Sequence, residues 1–429
     1  MVFGFYTLGC KVNQYETQAM EQILLSQGHS VASFSENCDV YIINTCSVTA
    51  VADKKNRAII RRCRKANPHA IIAVCGCYPQ RDAQAVSALG VDVIGGSNGK
   101  ETFLADIFVA MQEKRAFCHV DNALHRHIFE VLPPGGLEGR TRAMLKVQDG
   151  CQNFCTYCIS PYTRGPIRSA PVDLAVAKAT ALLEKGYREI VITGIEIASW
   201  GRDLPDRPGL ALLLEALSAA VPEMRLRLGS LEPRIITPEF CERLKKLPNL
   251  CPHFHLSMQS GCDSVLSRMK RKYDTARYLE SVNLLKAAFP GCAITTDMIV
   301  AFPGETEEEF KESLSFIEKC GFADMHIFPY SRRPGTPADK MPGQLSNDTK
   351  ESRCRVTNAI AENMSTAFRQ DMIGSTQDVL FEERAGDFYI GHTPNYIKIY
   401  LSTEAELHNQ VLSVKITDLF QDGMIGVLS

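Results

Sequence analysis

The stretch Cys151-Gln-Asn-Phe-Cys155-Thr-Tyr-Cys158 stands just after a strand-like apolar run, and the interpretation of the whole chain starts from it. Three cysteines at spacings of four and three within one loop can bind three irons of a cubane iron–sulfur cluster. The fourth iron of such a cluster has no cysteine ligand and can bind a substrate. Zinc is the alternative, but structural zinc sites usually have four ligands in two pairs, and no second pair lies nearby in the sequence. The stretch therefore predicts a cluster-binding loop that follows a strand.

Strand-like and helix-like segments alternate around this loop, from residue 143 to residue 366. This alternation is typical of parallel strands covered by helices. Six strand–helix units are two fewer than a complete eightfold barrel contains, so we predict an open, partial (β/α)6 barrel. The predicted strands are Ala143–Val147, Glu189–Thr193, Arg225–Leu228, His253–Ser257, Ile294–Val300 and Met325–Phe328.

The N-terminal segment, residues 1–118, shows a similar alternation and predicts an open α/β domain with a parallel sheet. A stretch rich in proline and glycine, Leu132–Arg140, predicts a linker within residues 119–142. The predicted N-terminal strands are Val2–Thr7, Val40–Asn44, Ile71–Val74 and Val91–Ile94, and the first predicted helix is Gln14–Ser26.

The C-terminal segment, residues 367–429, changes character. Short strand-like runs at Val379–Glu382, Tyr396–Tyr400 and Val411–Lys415 are joined by glycine, asparagine and proline turns. This pattern predicts a small all-β barrel.

Composition narrows the class of protein. The chain has 16 cysteines among 429 residues and a net charge of −2. Its longest apolar runs, such as Met298–Phe302, are far shorter than the roughly 20 residues that a membrane span needs, and its start lacks the pattern of a signal peptide. We therefore expect a cytoplasmic protein without a membrane span, whose reduced cysteines serve metal or redox chemistry rather than a disulfide framework.

A second set of cysteines, Cys10, Cys46 and Cys77, stands just beyond three predicted N-terminal strands. The carboxyl ends of neighbouring parallel strands share one edge of a sheet, where ligands bind. The three thiols can therefore meet at one point, although spacing alone leaves ordinary buried thiols as an alternative. Cys75 continues its apolar run and is interpreted as a core residue.

The Cys-x3-Cys-x2-Cys loop, with Tyr157 before its last cysteine, resembles the radical S-adenosylmethionine (SAM) superfamily. The resemblance implies that Cys151, Cys155 and Cys158 bind a 4Fe-4S cluster and that SAM chelates its open iron. Cleavage of SAM would then give a 5′-deoxyadenosyl radical. Further matches at strand ends imply contacts to the SAM amino group at Gly194-Ile-Glu196, to its carboxylate at Arg271, and to its adenine at the turn Val300-Ala-Phe-Pro-Gly-Glu-Thr306. The full set of implied SAM contacts is Tyr157, Gly194, Glu196, Ser230, Glu232, Gln259, Arg271, Val300 and Phe302.

Three N-terminal stretches, Leu8–Glu16, Asn44–Val48 and Cys75–Arg81, are similar to those of the methylthiotransferases, and the likeness spans essentially the whole chain. It implies that Cys10, Cys46 and Cys77 hold a second 4Fe-4S cluster, which carries sulfur that a first SAM methylates. It also implies that the C-terminal barrel is a TRAM-like module.

Within this family the stretch Leu8–Glu16 resembles most the branch that acts on N6-threonylcarbamoyladenosine in tRNA. The implied product is the 2-methylthio derivative of that base at position 37, next to the anticodon. The alternatives are isopentenyl-adenosine in tRNA and an aspartate of a ribosomal protein. A non-catalytic iron–sulfur protein for electron transfer is a more remote alternative. The family also implies a low-potential electron donor of the flavodoxin or ferredoxin type and a sulfur donor as partners.

One feature of the residues themselves indicates RNA binding. Seven of the twelve residues from Lys54 to Lys65 are lysine or arginine, and none is acidic. Lys54, Arg57, Arg61 and Arg64 recur at helical spacing and predict a phosphate-binding stripe, although an ordinary solvated helix face is the alternative. The C-terminal segment has four basic and nine acidic residues, which makes a poor RNA surface and leaves a basic protein substrate open.

Overall fold

A computed structural model of the protein describes residues 1–134 and 140–429. Residues 135–139, within the predicted linker, lie outside the described residues. The N-terminal part consists of β1 Val2–Thr7, α1 Lys11–Ser26, β2 Ser30–Ala32, β3 Val40–Thr45, α2 Ala50–Ala66, β4 Ile71–Gly76, α3 Cys77–Ser87, β5 Val93–Gly95, α4 Lys100–Glu113 and β6 Phe117–His119.

The strands of this part form a parallel sheet in the order β2-β1-β3-β4-β5-β6. Every residue of β3 is buried, as expected for a continuous apolar run in the middle of a parallel sheet. One apolar cluster packs α1 and α4 on one face, and a second packs α2 and α3 on the other. The predicted open parallel-sheet fold is therefore confirmed.

The central part continues the alternation of strands and helices. Its elements are β7 Arg142–Lys146, β8 Gln148–Asp149, α5 Ser160–Arg164, β9 Arg168–Ser169, α6 Val172–Glu184, β10 Glu189–Thr193, α7 Gly209–Ala220, β11 Arg225–Leu228, α8 Pro238–Leu244, β12 His253–His255, α9 Asp263–Arg268, α10 Thr275–Ala288, β13 Ala293–Val300, α11 Glu307–Cys320 and β14 Asp324–Pro329.

Six of these strands form an arc. The parallel sheets β7-β10-β11 and β12-β13-β14 are joined by single parallel bridges, Leu226 to Leu250 and Leu231 to Leu256. The arc is filled by a large cluster of leucine, isoleucine and valine side chains from strands and helices. This is the predicted partial (β/α)6 barrel, and the short hairpin β8–β9 beside it was not predicted.

The C-terminal part consists of the long helix α12 Asn347–Gln370, followed by β15 Thr376–Ala385, β16 Phe388–His392, β17 Lys398–Ser402, β18 Val411–Phe420 and β19 Gly423–Leu428. The five strands close into a barrel in the order β15-β16-β17-β19-β18. The all-β barrel is confirmed, although β16 and β19 were missed. The predicted boundary between residues 366 and 367 falls inside α12, and the exact domain division remains a prediction.

Helix α12 is fixed to the central barrel near its first turns. The guanidinium of Arg353 donates from Nη1 to Glu305 Oε2 over 2.6 Å, and the same carboxylate oxygen accepts the backbone N–H of Ala301 over 2.6 Å. Ala301 has a φ of +58°, an uncommon value for a residue with a side chain. This contact therefore holds the turn after β13 in a constrained shape.

The C-terminal barrel docks on the amino-terminal ends of β7 and β11. The ring of Tyr396 lies 4.5 Å from the guanidinium of Arg227, and its hydroxyl accepts from Arg142 Nη1 over 2.8 Å. The backbone oxygen of Pro394 accepts from Arg227 Nη1 over 2.9 Å. Tyr396 is therefore a packing residue between the two parts of the chain. None of the helices in the described ranges is both long and apolar enough to span a bilayer.

Candidate iron–sulfur and SAM site

A cavity of about 340 Å³ opens at the carboxyl ends of the central strands, the end opposite the C-terminal barrel. Cys151, Cys155 and Cys158, on the loop between β8 and α5, line it. Residues Val48 and Thr49, which follow Cys46 in the N-terminal part, line the same cavity. The cavity is thus shared between the two predicted cluster regions.

Backbone contacts shape the loop of the three cysteines. Gly150, before the loop, has a φ of +76°, and a side chain there would collide with the backbone oxygen of Pro166. Within the loop, Cys151 N donates to Gly165 O over 3.0 Å and Cys158 N donates to Cys155 O over 3.0 Å. The loop is therefore held by main-chain hydrogen bonds rather than by bonds between its thiols.

Arg271 places a half-buried positive charge beside this loop. Its Nη1 donates to Cys155 Sγ over 3.3 Å, and its Nη2 donates to the backbone oxygen of Ser257 over 3.0 Å. Its Nε donates to the hydroxyl of Tyr273 over 2.9 Å. A guanidinium fixed in this way suits a carboxylate ligand in the cavity.

Glu196 places an acid across the cavity. Its carboxylate Oε2 accepts from Asn153 Nδ2 over 3.3 Å, and its backbone N–H donates to Gln148 Oε1 over 2.8 Å. Burial raises the pKa of Glu196 to about 7. Gly194 allows this arrangement, because a Cβ there would lie 2.7 Å from Gln148 Oε1. A half-buried carboxylate of this kind suits an ammonium group.

The remaining predicted SAM contacts divide into two groups. Tyr157, Ser230, Glu232 and Gln259 line the cavity together with Glu196 and Arg271. Val300 and Phe302 have no exposed surface and lie behind the wall, where the ring of Phe302 contacts Tyr157 edge to face at 6.5 Å. All of these roles remain predictions.

Sequence reasoning missed several residues that line the cavity. Asp297 and Ile299 point inward from β13, and Asn153 lies between the cysteines. The period-two exposure along β13 was the one signal that could have identified Asp297. Val48 and Thr49 carried no signal, because their place depends on how the N-terminal part packs on the barrel.

The structure brings together the loops of Cys10, Cys46 and Cys77 at one edge of the N-terminal sheet. Cys10 immediately precedes α1, Cys46 follows β3, and Cys77 follows β4. The amide of Asn13 joins two of these loops, since its Nδ2 donates to Asn44 Oδ1 over 3.1 Å and to Thr45 O over 3.0 Å.

The hydrogen-bonded side chains of Asn13 and Asn44 form an amide pair. The third loop approaches this pair at Gly76, whose φ is +100°. A Cβ on Gly76 would lie 2.7 Å from Asn44 Oδ1 and 2.8 Å from Thr45 N, so only glycine fits. The pKa of the Cys46 thiol is raised to about 12, mainly by burial and further by the neighbouring thiols of Cys77 and Cys10. The three thiols therefore lie close enough to influence one another.

The chemistry of both donor sets fits iron–sulfur clusters. Each set offers three thiols, and thiolate sulfur is the usual protein ligand of cluster iron. Within residues 1–134 and 140–429, no group of three histidine, cysteine or acidic side chains is placed to hold a single metal ion. A four-iron cluster spreads its cysteine ligands over several irons, so each triad suits a cluster better than a lone ion.

The predicted basic stripe lies on α2, whose first residues adjoin the cavity. Lys54 and Arg61 are exposed and Arg57 is half-buried. Arg64 differs, because its guanidinium donates to Asp92 Oδ2 over 2.6 Å and to the backbone oxygens of Pro68, Ala70 and Gly90. Arg64 is thus used within the protein rather than offered to a phosphate.

Comparisons with known proteins agree with this architecture. The Radical SAM superfamily matches residues 145–317, and Uncharacterized protein family UPF0004 matches residues 3–96. Among solved structures, the radical S-adenosylmethionine methyltransferase TsrM from Kitasatospora setae has a TM-score of 0.58 at 13% identity, covering 85% of this chain and 89% of that chain. This last likeness concerns the fold alone.

Curated relatives match nearly the whole length of the chain. The threonylcarbamoyladenosine tRNA methylthiotransferase MtaB of Bacillus subtilis (strain 168) is 38% identical over 96% of this chain and 93% of its own. The protein of the same name from Thermotoga maritima is 36% identical over 98% of this chain and 95% of its own. The tRNA-2-methylthio-N(6)-dimethylallyladenosine synthase of Pelotomaculum thermopropionicum is 31% identical over all of this chain and 97% of its own. Three thiols and the residues that follow Cys46 line one cavity, and the relatives are this similar over nearly their full length, so the chain belongs to the radical SAM methylthiotransferase family.

Proposed function

We propose that this protein is a tRNA methylthiotransferase that converts N6-threonylcarbamoyladenosine, next to the anticodon, to its 2-methylthio derivative. One observation carries the proposal: the residues that follow Cys46 line the same cavity as Cys151, Cys155 and Cys158. A sulfur held at the N-terminal triad and a radical formed at the central triad would therefore meet in one chamber.

In this proposal Cys151, Cys155 and Cys158 hold one 4Fe-4S cluster and Cys10, Cys46 and Cys77 hold the other. When bound, the clusters and SAM supply the radical that activates a C–H bond and the methylated sulfur that replaces the hydrogen.

The chain itself binds and orients the reactants. Arg271 pairs with the SAM carboxylate, and Glu196 accepts hydrogen bonds from its ammonium group. Because Glu196 and Arg271 both line the cavity, they fix the amino acid part of SAM at two points. The buried wall behind them, which includes Phe302, keeps water from the reacting atoms.

The substrate branch follows from the relatives. The two MtaB relatives that act, by name, on threonylcarbamoyladenosine are 38% and 36% identical, whereas the dimethylallyladenosine synthase is 31% identical. We therefore favour the threonylcarbamoyl substrate over isopentenyl-adenosine. A ribosomal-protein aspartate is kept as an outcome of the test.

The RNA surface proposed for this enzyme consists of Lys54 and Arg61, which are exposed, and Arg57, which is half-buried, on α2. Helix α2 begins where Thr49, its N-cap, lines the cavity. A phosphate backbone bound along α2 would thus run towards the chamber. The acidic C-terminal barrel is a poorer candidate, and its residue Tyr396 is used in packing.

The decisive experiment is product analysis with the anaerobically reconstituted protein. We expect 2-methylthio-N6-threonylcarbamoyladenosine from tRNA that carries N6-threonylcarbamoyladenosine, and none after Cys151→Ala, Cys155→Ala or Cys158→Ala. Product from isopentenyl-adenosine tRNA alone, or from a ribosomal protein alone, would overturn the substrate assignment. Cluster loading without SAM cleavage would overturn the enzyme assignment.

The RNA surface has its own test. A triple change of Lys54, Arg57 and Arg61 to glutamine should weaken tRNA binding and reduce its salt dependence, with iron content unchanged. A matched control changes Lys245 and Lys246, exposed in the turn after α8, and Lys311, exposed on α11, to glutamine. Equal losses in the two variants would contradict the proposed surface.

The remaining partners complete the proposal. A low-potential donor of the flavodoxin or ferredoxin type reduces the clusters, a separate donor restores the sulfur, and the reaction takes place in the cytoplasm. Omitting each reductant or sulfur source in turn from a purified reaction tests the first two.

A further inference from the structure

A buried network of charges lies between the N-terminal part and the central barrel. At its centre, Glu16 on α1 contacts Arg164 Nη1 at 2.5 Å and Lys146 Nζ at 3.0 Å, and Lys100 Nζ lies 3.6 Å away. Asp149 contacts Lys146 at 2.6 Å. No side chain of these five is more than 1% exposed.

The network holds more positive than negative charge. Arg168 joins it at 3.4 Å from Asp149, so the buried groups of the described chain are four cations and two carboxylates. Glu130, which is half-buried and accepts the backbone N–H of Lys100 over 2.6 Å, still leaves the cations in excess. Burying an uncompensated charge is costly unless an anion completes the set.

Arg164 is linked to the N-terminal thiols through a single side chain, that of Asn13. Its Nη2 donates to Asn13 Oδ1 over 3.0 Å, and the Cys10 thiol donates to the same oxygen over 3.3 Å. One oxygen atom therefore separates the guanidinium from the sulfur. A Cys10 thiolate has no proton and can no longer donate a hydrogen bond to Asn13. The Arg164 guanidinium is then a nearby hydrogen-bond donor and positive charge.

The electrostatics of Arg164 agree with this placement. Burial by itself lowers the pKa of Arg164, but Glu16, Cys77, Asp149 and Cys10 together keep it well above its usual value. Two of these four groups are thiols of the N-terminal triad.

We propose that Arg164 is the counter-ion of the anionic cluster that Cys10, Cys46 and Cys77 hold, and that it thereby sets that cluster's reduction potential. The inference rests on the proposed function, since it requires a cluster at this triad. Three thiolates make such a cluster anionic, and each added electron increases the negative charge. A fixed positive charge nearby stabilises the reduced form and raises the potential.

The same residue acts as a positioning residue between the two sites. Arg164 ends α5, the helix that begins two residues after Cys158, and Glu16 lies on the helix that begins right after Cys10. The ion pair between Arg164 and Glu16 thus ties the two cysteine loops to one rigid contact.

The test measures potential rather than turnover. The full chain with Cys151→Ala, Cys155→Ala and Cys158→Ala retains only the N-terminal triad, and a redox titration followed by EPR reports on that cluster alone. In this background we compare Arg164→Gln, Arg164→Lys and Glu16→Gln, with iron content measured for each.

The proposal predicts shifts of opposite sign. Arg164→Gln should lower the potential, Glu16→Gln should raise it, and Arg164→Lys should stay near the parent. Arg164→Gln could fail to take up iron. In that case the proposal is supported if Arg164→Lys takes up iron and keeps a potential near that of the parent, and if Glu16→Gln has a higher potential.

Other outcomes overturn it. Unshifted potentials, shifts of the same sign in Arg164→Gln and Glu16→Gln, or loss of iron from Arg164→Lys would each refute the counter-ion role. Absence of iron from the triple-alanine parent would instead refute the N-terminal cluster itself, which separates failure of this inference from failure of the proposed function.

Discussion

Replacing Gly76 with alanine should remove the N-terminal cluster and leave the central cluster in place. Gly76 has φ +100° and ψ −156°, a region that is almost exclusive to glycine, and the strain for alanine there is about 1–3 kcal/mol. The added Cβ would also lie 2.7 Å from Asn44 Oδ1 and 2.8 Å from Thr45 N. Overpacking of this kind adds about 1–3 kcal/mol.

The expected destabilisation of Gly76→Ala is therefore about 2–6 kcal/mol, concentrated where the three cysteine loops meet. The matched control is Gly90→Ala, in the same sheet domain. Gly90 has φ +72° and nothing within 4 Å of an added Cβ, so its substitution should cost only about 1–2 kcal/mol.

Two measurements decide the matter: iron content after anaerobic reconstitution, and thermal unfolding by circular dichroism. We expect about eight irons per chain in the parent and in Gly90→Ala, and about four in Gly76→Ala. A Gly76→Ala protein with full iron and the stability of Gly90→Ala would refute the claim that the amide pair and Gly76 bring the thiols together.

Three further predictions concern other parts of the molecule. Burial raises the pKa of Glu21 from 4.5 to about 7, so the fold favours the neutral carboxyl and loses stability as the pH rises from 4.5 to 7. At pH 8, Glu21→Gln should therefore raise Tm and increase the free energy of unfolding by up to about 3 kcal/mol. An equal gain at pH 4.5 would contradict this prediction. Tyr396→Ala removes the ring 4.5 Å from the Arg227 guanidinium and should weaken the docking of the C-terminal barrel by about 1–2 kcal/mol. Limited proteolysis should then cleave the barrel of Tyr396→Ala faster than that of the parent or of Tyr396→Phe. Resistance equal to that of the parent in the alanine variant would argue against the docking role. Arg64→Gln should lower Tm and leave tRNA affinity within about twofold, because the guanidinium of Arg64 bonds within the fold. Arg61→Gln should weaken tRNA binding and leave Tm unchanged. A binding titration in which Arg64→Gln weakens tRNA binding and Arg61→Gln does not would show that Arg64 contacts RNA.

Much of the fold could be predicted because buried parallel strands leave a simple signal. The bounds of β10, at Glu189–Thr193, and of β11, at Arg225–Leu228, were predicted at both ends. Strands β2 and β6, of three residues each at the two edges of the sheet, were missed because they are short and partly exposed. Strand β19 was missed because Gly423 and Gly426, which allow close backbone approach, weaken the strand signal.

The site could be predicted only in part, since a motif gives positions and not directions. Arg271 and Glu196 do line the cavity, but nothing in the sequence shows that Phe302 is fully buried. Arg64 has the same spacing as the other residues of the stripe, and only the folded chain reveals its partner Asp92, 28 residues away. The pairing of Glu16 with Arg164 joins residues 148 apart and is likewise invisible to periodicity.

Helix α12 has a mechanical consequence for the molecule. Its 24 residues span about 36 Å, with Arg353 near one end and the C-terminal barrel attached to the other. A helix of this length transmits a displacement as a stiff rod does, whereas a flexible linker would absorb it. The helix that carries the C-terminal barrel therefore also fixes the turn at Ala301 through Arg353 and Glu305, so one rigid element joins the last module of the chain to the turn predicted to hold the adenine of SAM.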